Sequence, residues 1–161
     1  MSDAGEEGAP VDRASPDLGD PLYAPHFAGL EEGEFRVQRW ESDGALEWPP
    51  HVMHGADQTE SYGWQAIPLT GVVYSYAVCY RAFHPWFALR VPYAIVVVDT
   101  DAGVRVLGNC FDPSVERLEC GQRMRGELVR AESGIPGVVW RPAEAHGTTP
   151  LRRAIQAECS G

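Results

Sequence analysis

The chain has 161 residues, enough for one domain of ordinary size, and its 44% hydrophobic and 22% charged residues are typical of a soluble globular protein. Its net charge of −10 argues against a general nucleic-acid-binding module, which needs a basic face for phosphate. All 13 basic residues are arginine, so neither a Schiff-base lysine nor a P-loop lysine is possible.

The charge is unevenly placed: nine acids and one base lie up to Glu34, and the remainder is almost neutral. Residues 1–20, acidic and rich in Gly, Pro and Ala, read as a flexible tail. They lack the basic start and apolar core of a signal peptide, so a cytoplasmic location is expected. No apolar run approaches the roughly 20 residues that span a membrane. Cys79, Cys110, Cys120 and Cys159 form no C-x-x-C pair.

After the tail, residues 25–32 read as a short helix ended by Gly33, and 35–40 (FRVQRW) as an alternating strand. A short extended piece, 45–48, lies between Gly44 and Pro49-Pro50, and 51–63 is polar and irregular. Two long β-branched and aromatic strands follow, LTGVVYSYAVCYR and PYAIVVVDT, joined by the loop AFHPWFALRV. DTDAG then turns the chain into a return strand, VRVLGNC, as a hairpin. DPSVERLEC supplies a helical turn capped by Asp112 or Ser114, and 123–131 and 138–141 are the last two strands. Residues 144–161 read as a second tail, with a short helix at 151–158. Five strands with a helical turn between the third and fourth is the order of an OB-fold barrel. A single-strand nucleic-acid-binding OB-fold would need a basic groove, which a lysine-free and weakly acidic body does not offer.

The stretches GVVYSYAV, VPYAIVVVDTDAGVRVLGN, LECGQRMRGELV and VVWRPA, with HFAGLEEGEFRVQRW before them, resemble the acyl-CoA-associated zinc-ribbon/OB-fold family. The resemblance implies a mainly β fold: an N-terminal helix over 21–34, a rubredoxin-like ribbon lobe over 35–66, and an OB-fold over 67–143. In that family the ribbon carries two C-x-x-C pairs around a Pro-Pro. Here Pro49-Pro50 is present, but the four knuckle positions hold Trp40, Asp43, His54 and Asp57. Either Asp43, His51, His54 and Asp57 form a new metal site, or the ribbon has lost its zinc and is held by Trp40, Trp48 and Trp64. The tryptophans favour the second, with no cofactor.

The resemblance further implies a non-catalytic accessory subunit. Its partner would be a thiolase-fold protein, in a two-plus-two heterotetramer that handles an acyl-CoA. A steroid side-chain retro-aldol (carbon–carbon lyase) complex is the sharpest reading, and thiolase, acyltransferase or hydratase complexes are the alternatives. No nucleic acid or membrane is implied. The residues agree that no catalytic set is self-contained: of five histidines only His84 lies in a site-like loop, and no Gly-x-Ser-x-Gly elbow accompanies it. The segment RAFHPWF is expected to face a partner and CoA, with Arg81 attracting phosphate, Phe83, Trp86 and Phe87 as anchors, and His84 between them. Tyr74 and Tyr76, which would present one aromatic strand face, and Tyr93 are also expected to face the partner or CoA, and Arg123, Arg125 and Arg130 to lie on a solvated strand.

Overall fold

The computed structural model describes residues 19–130 and 136–143, so the expected tails, including the helix at 151–158, lie outside the described residues. Helix α1 (Ala24–Glu31) carries Pro25 in its first turn, where a fixed φ is favourable, and Glu32 closes it. Gly33 then adopts φ +81°, which lets the chain turn into β1 (Phe35–Trp40). α1 buries His26 and Leu30, and the His26 ring lies 4.9 Å from Phe35 and 4.1 Å from Trp48. His26 Nδ1 lies 2.8 Å from the Arg36 carbonyl, so burial costs this side chain no polar partner.

β1 is the middle strand of an antiparallel sheet, between β2 (Leu46–Glu47) and β3 (Tyr62–Ile67). The irregular segment expected over 51–63 therefore ends early, and β3 was not foreseen. YGWQAI shows no strict alternation, with Gln65 and Ala66 both exposed. It becomes a strand because an unbroken ladder from Phe35↔Ile67 to Trp40↔Tyr62 ties it to β1, so pairing overrides its weak pattern. Gln38 is fully buried in β1, and its amide both donates to the His51 carbonyl (2.7 Å) and accepts from the His51 N–H (2.9 Å).

The remaining strands are β4 (Thr70–Cys79), β5 (Tyr93–Thr100), β6 (Arg105–Cys110), β7 (Arg123–Arg130) and β8 (Pro136–Pro142). They close a barrel in the order β4-β5-β6-β8-β7, which is an OB-fold. All pairs are antiparallel except β6 with β8, which meet in parallel at Asn109↔Val139. The expected hairpin joins β5 to β6, where Gly103 takes φ +86° and the Thr100 hydroxyl donates to the Val104 carbonyl at 2.7 Å. The interior is filled by Val73, Val96, Val98, Val106, Met124 and Trp140. Trp140 occupies the space over Gly108 and Gly126: a Cβ at either position would stand within 3 Å of its ring. The turn Val115–Arg117 carries fully buried Val115 under the barrel between β6 and β7. Of the two cap candidates Asp112 does the bonding, its carboxylate accepting from the Ser114 N–H and hydroxyl. Among the described residues no helix is long and apolar enough to cross a membrane.

Candidate functional site

The strap over 80–92 that joins β4 to β5 is built around a 3-10 turn, Pro85–Phe87. His84 caps it, its Nδ1 accepting from the Trp86 N–H at 3.2 Å. The turn aims its aromatic side chains inward. Phe87 stacks on Tyr93 with centroids 4.4 Å apart and planes 11° apart, and Trp86 meets Phe87 and Phe111 edge-on. Trp86 and Phe87 are therefore half-buried and Tyr93 is 2% exposed, so contacts inside the protein take up much of the surface that the sequence reading assigns to a partner. Ring-on-ring packing with Phe111 satisfies them within the barrel wall. Burial, with the Cys79 thiol beside it, raises the pKa of Tyr93 and keeps it a neutral phenol.

What the strap presents outward is Phe83, 80% exposed, and Leu89, 97% exposed, flanked by exposed Tyr80, Arg81 and Val91. The Tyr80 hydroxyl donates to Glu116 at 3.0 Å, holding one end of the patch to the Val115–Arg117 turn. Arg81 makes no ion pair among the described residues. Leu89 and Tyr80 were missed. The available signal was the charge pattern: residues 79–92 contain two arginines and no acid, in a strongly acidic chain.

Tyr74 and Tyr76 do not share a face. The register with β5 slips between Val73 and Ser75, so Tyr74 is the extra residue of a bulge. Tyr74 lies on the outer face beneath the Arg105 guanidinium, 3.6 Å from its centroid, and Arg105 in turn donates to Asp99 at 2.7 Å. Tyr76 aligns with fully buried Val96 and is 38% exposed. The β7 arginines are all held by acids, Arg123 by Asp101, Arg125 by Glu127 and Arg130 by Glu31, as suits a solvated strand.

The four knuckle positions converge. Trp40 is fully buried and stacks on His54 at 4.8 Å. His54 Nδ1 lies 2.9 Å from Asp57 and its Nε2 3.7 Å from Asp43. Hydrogen bonds from Ser42 and from the Thr59 backbone and hydroxyl hold the Asp57 carboxyl well below the usual carboxylate range. His51 stands aside, 3.2 Å from Glu47. This donor set does not fit a structural zinc. Trp40 cannot ligate, none of the four residues supplies the thiolate that dominates such sites, and His54 is engaged through both ring nitrogens by Asp57 and Asp43. Trp48 packs beneath α1 instead of at the knuckle, and Trp64 lies 6.4 Å from Tyr62. Among the described residues no Ser or Cys is hydrogen-bonded to a histidine, so no nucleophile–base pair is assembled.

Residues 64–129 match the family model described as the ChsH2 C-terminal OB-fold domain. A probable enoyl-CoA hydratase alpha subunit of Thermomonospora curvata is 26% identical over 119 residues, 73% of this chain and 36% of that protein. The chain thus spans about a third of that relative's length. Among solved structures, an Ltp2-ChsH2(DUF35) aldolase chain is similar with a TM-score of 0.72 at 23% identity, over 80% of this chain and 98% of that one. A DUF35-family protein of unknown function from Sulfolobus solfataricus gives 0.55 at 12%, over 77% and 87%. At these identities both structures speak for the fold.

Proposed function

We propose that this chain is a non-catalytic accessory subunit of an acyl-CoA enzyme complex, on the match of residues 64–129 to the model of the ChsH2 C-terminal OB-fold domain. It docks on a thiolase-fold partner and helps shape that partner's acyl-CoA site, in a two-plus-two assembly. The partner's reaction is retro-aldol cleavage of a β-hydroxy acyl-CoA side chain, most sharply that of a steroid. The observation that carries the reading is the strap: Phe83 and Leu89 stand almost fully in water on a chain that assembles no catalytic set among its described residues. Two large apolar side chains beside Arg81 and Arg90 have the composition of an interface hot spot. A hydratase complex is the second reading, favoured by the likeness to the probable enoyl-CoA hydratase alpha subunit of Thermomonospora curvata.

Co-expression with a thiolase-fold protein encoded beside this chain tests the proposal. The expected result is a complex that co-purifies, and a partner whose cleavage of its acyl-CoA falls when this chain is withheld. If the two do not co-purify and the partner's activity is the same without it, the proposal is lost. Products of thiolysis or hydration instead of retro-aldol cleavage would select the alternative complexes.

A further inference from the structure

Behind the strap, its 3-10 turn, β7 and β8 enclose a cleft of about 300 Å³. Three arginines reach it, Arg90, Arg130 and Arg141, with the aromatic side chains of Trp86 and Phe111. Val129 and Val139 complete an apolar wall. Each guanidinium is fixed by a contact within the protein. Arg90 lies 3.9 Å over the centre of the Trp86 ring and donates to the Trp86 carbonyl at 2.5 Å. Arg130 is forked onto Glu31 of α1, at 3.2 and 2.6 Å. Arg141 donates through Nε to Glu127 at 3.1 Å, and its terminal amino groups make no hydrogen bond among the described residues.

Positive charge therefore gathers at one cleft of an acidic chain. Glu31 and Glu127 offset part of it, and Glu127 is shared with Arg125. Guanidiniums offer forked donors to phosphate oxygens, while rings and valines offer flat apolar contact. The volume lies at the small end of ligand pockets, which run from about 300 to 1,000 Å³. One ligand class needs both halves of such a lining, an anion carrying a planar ring. We infer that the cleft is a binding site for a nucleotide, with its base against the Trp86, Phe111 and valine wall and its phosphates on Arg141 and Arg90. This deepens the proposed function and rests on it in one respect: coenzyme A has a nucleotide end, so an acyl-CoA is one source of the ligand and a free nucleotide the other.

Calorimetric titration of the full chain with ADP, pyrophosphate, adenosine and coenzyme A tests the inference. ADP should bind, pyrophosphate more weakly, and adenosine not measurably. Arg90→Ala and Arg141→Ala should each weaken ADP by about ten- to hundredfold, as removal of a charged hydrogen-bonding partner does. Arg141→Lys should retain part of the affinity, and Arg123→Ala, which lies against Asp101 instead, should leave it unchanged. Coenzyme A binding at least tenfold tighter than ADP names the coenzyme as the source; equal affinity names the free nucleotide. Millimolar ADP and coenzyme A giving no heat would overturn the inference. So would binding that Arg90→Ala and Arg141→Ala leave intact in variants whose thermal unfolding is unchanged. Co-purification of these variants with the partner separates the two readings. A complex that forms with no nucleotide binding sinks the cleft and spares the docking, and nucleotide binding with no complex does the reverse.

Discussion

Replacing His54 by alanine removes the side chain on which the knuckle converges. His54 is 8% exposed, covers the fully buried Trp40 ring, and lies between Asp57 and Asp43. The lost ring pair is worth about 0.5–1.5 kcal/mol beyond its buried area, and the Asp57 hydrogen bond about 1 kcal/mol. The Asp43 contact, at 3.7 Å to a half-exposed carboxylate, adds little. With no imidazole between them the two carboxylates also face each other, so a total cost of about 2–3 kcal/mol is expected. For a chain of this length each kcal/mol moves Tm by roughly 2–4 °C, so His54→Ala should lower it by roughly 4–12 °C. His54→Phe keeps the stack and loses both polar contacts, and should fall between the two. Thermal unfolding by circular dichroism, beside elemental analysis, reads the outcome. A shift below about 1 °C would refute the packing account. About one zinc per chain, with a chelator lowering Tm as far as His54→Ala does, would refute the metal-free knuckle.

The strap makes a sharp contrast between folding and assembly. Phe83→Asp with Leu89→Asp should leave Tm within about 1 °C, because exposed positions carry little stability. Each substitution should weaken partner capture by tenfold or more, since burying one such side chain is worth about 1.5–3 kcal/mol; retained co-purification would contradict this. Gly71→Ala should cost several kcal/mol in chemical denaturation, since its Cβ would sit 2.2 Å from the Asp99 carbonyl oxygen. A loss under about 0.5 kcal/mol would mean that β4 and β5 part easily there. Asp101, forked by Arg123 and bonded by Thr70, has its pKa lowered from 3.8 to about 2. Its folded value lies below its unfolded one, so it stabilises the fold above the ordinary carboxylate range, and that contribution is lost as pH falls toward 2. Arg123→Ala should therefore flatten the acid limb of stability between about pH 4 and 2; an unchanged limb would detach Asp101 from it.

The barrel was legible because its strands carry their own signal: LTGVVYSYAVC and YAIVVVDT are β-branched, and Gly103 marks the hairpin. β3 was not legible, because YGWQAI owes its state to β1, which no local pattern announces. At the site, residue type was a better guide than direction. Trp86 and Phe87 look like anchors in a loop, yet the His84 cap winds them into a 3-10 turn that aims them at Tyr93 and Phe111. The bulge at Tyr74 likewise reverses a strand parity that simple alternation assumes. The cleft joins Arg90, Arg130 and Arg141 from three separate segments, so it exists only once the barrel has closed.

Gln38 gives the knuckle an unusual kind of support. A side-chain amide carries N–H donors and a carbonyl acceptor side by side, and that of Gln38 meets both backbone groups of His51. β1 thus acts as a strand sideways as well as along its edges, and the chain beyond Pro49-Pro50 is held as though a further strand lay beside it. A glutamate here would keep the acceptor and lose the donor, and the His51 carbonyl would lose this partner. The amide therefore serves as a template for loop shape.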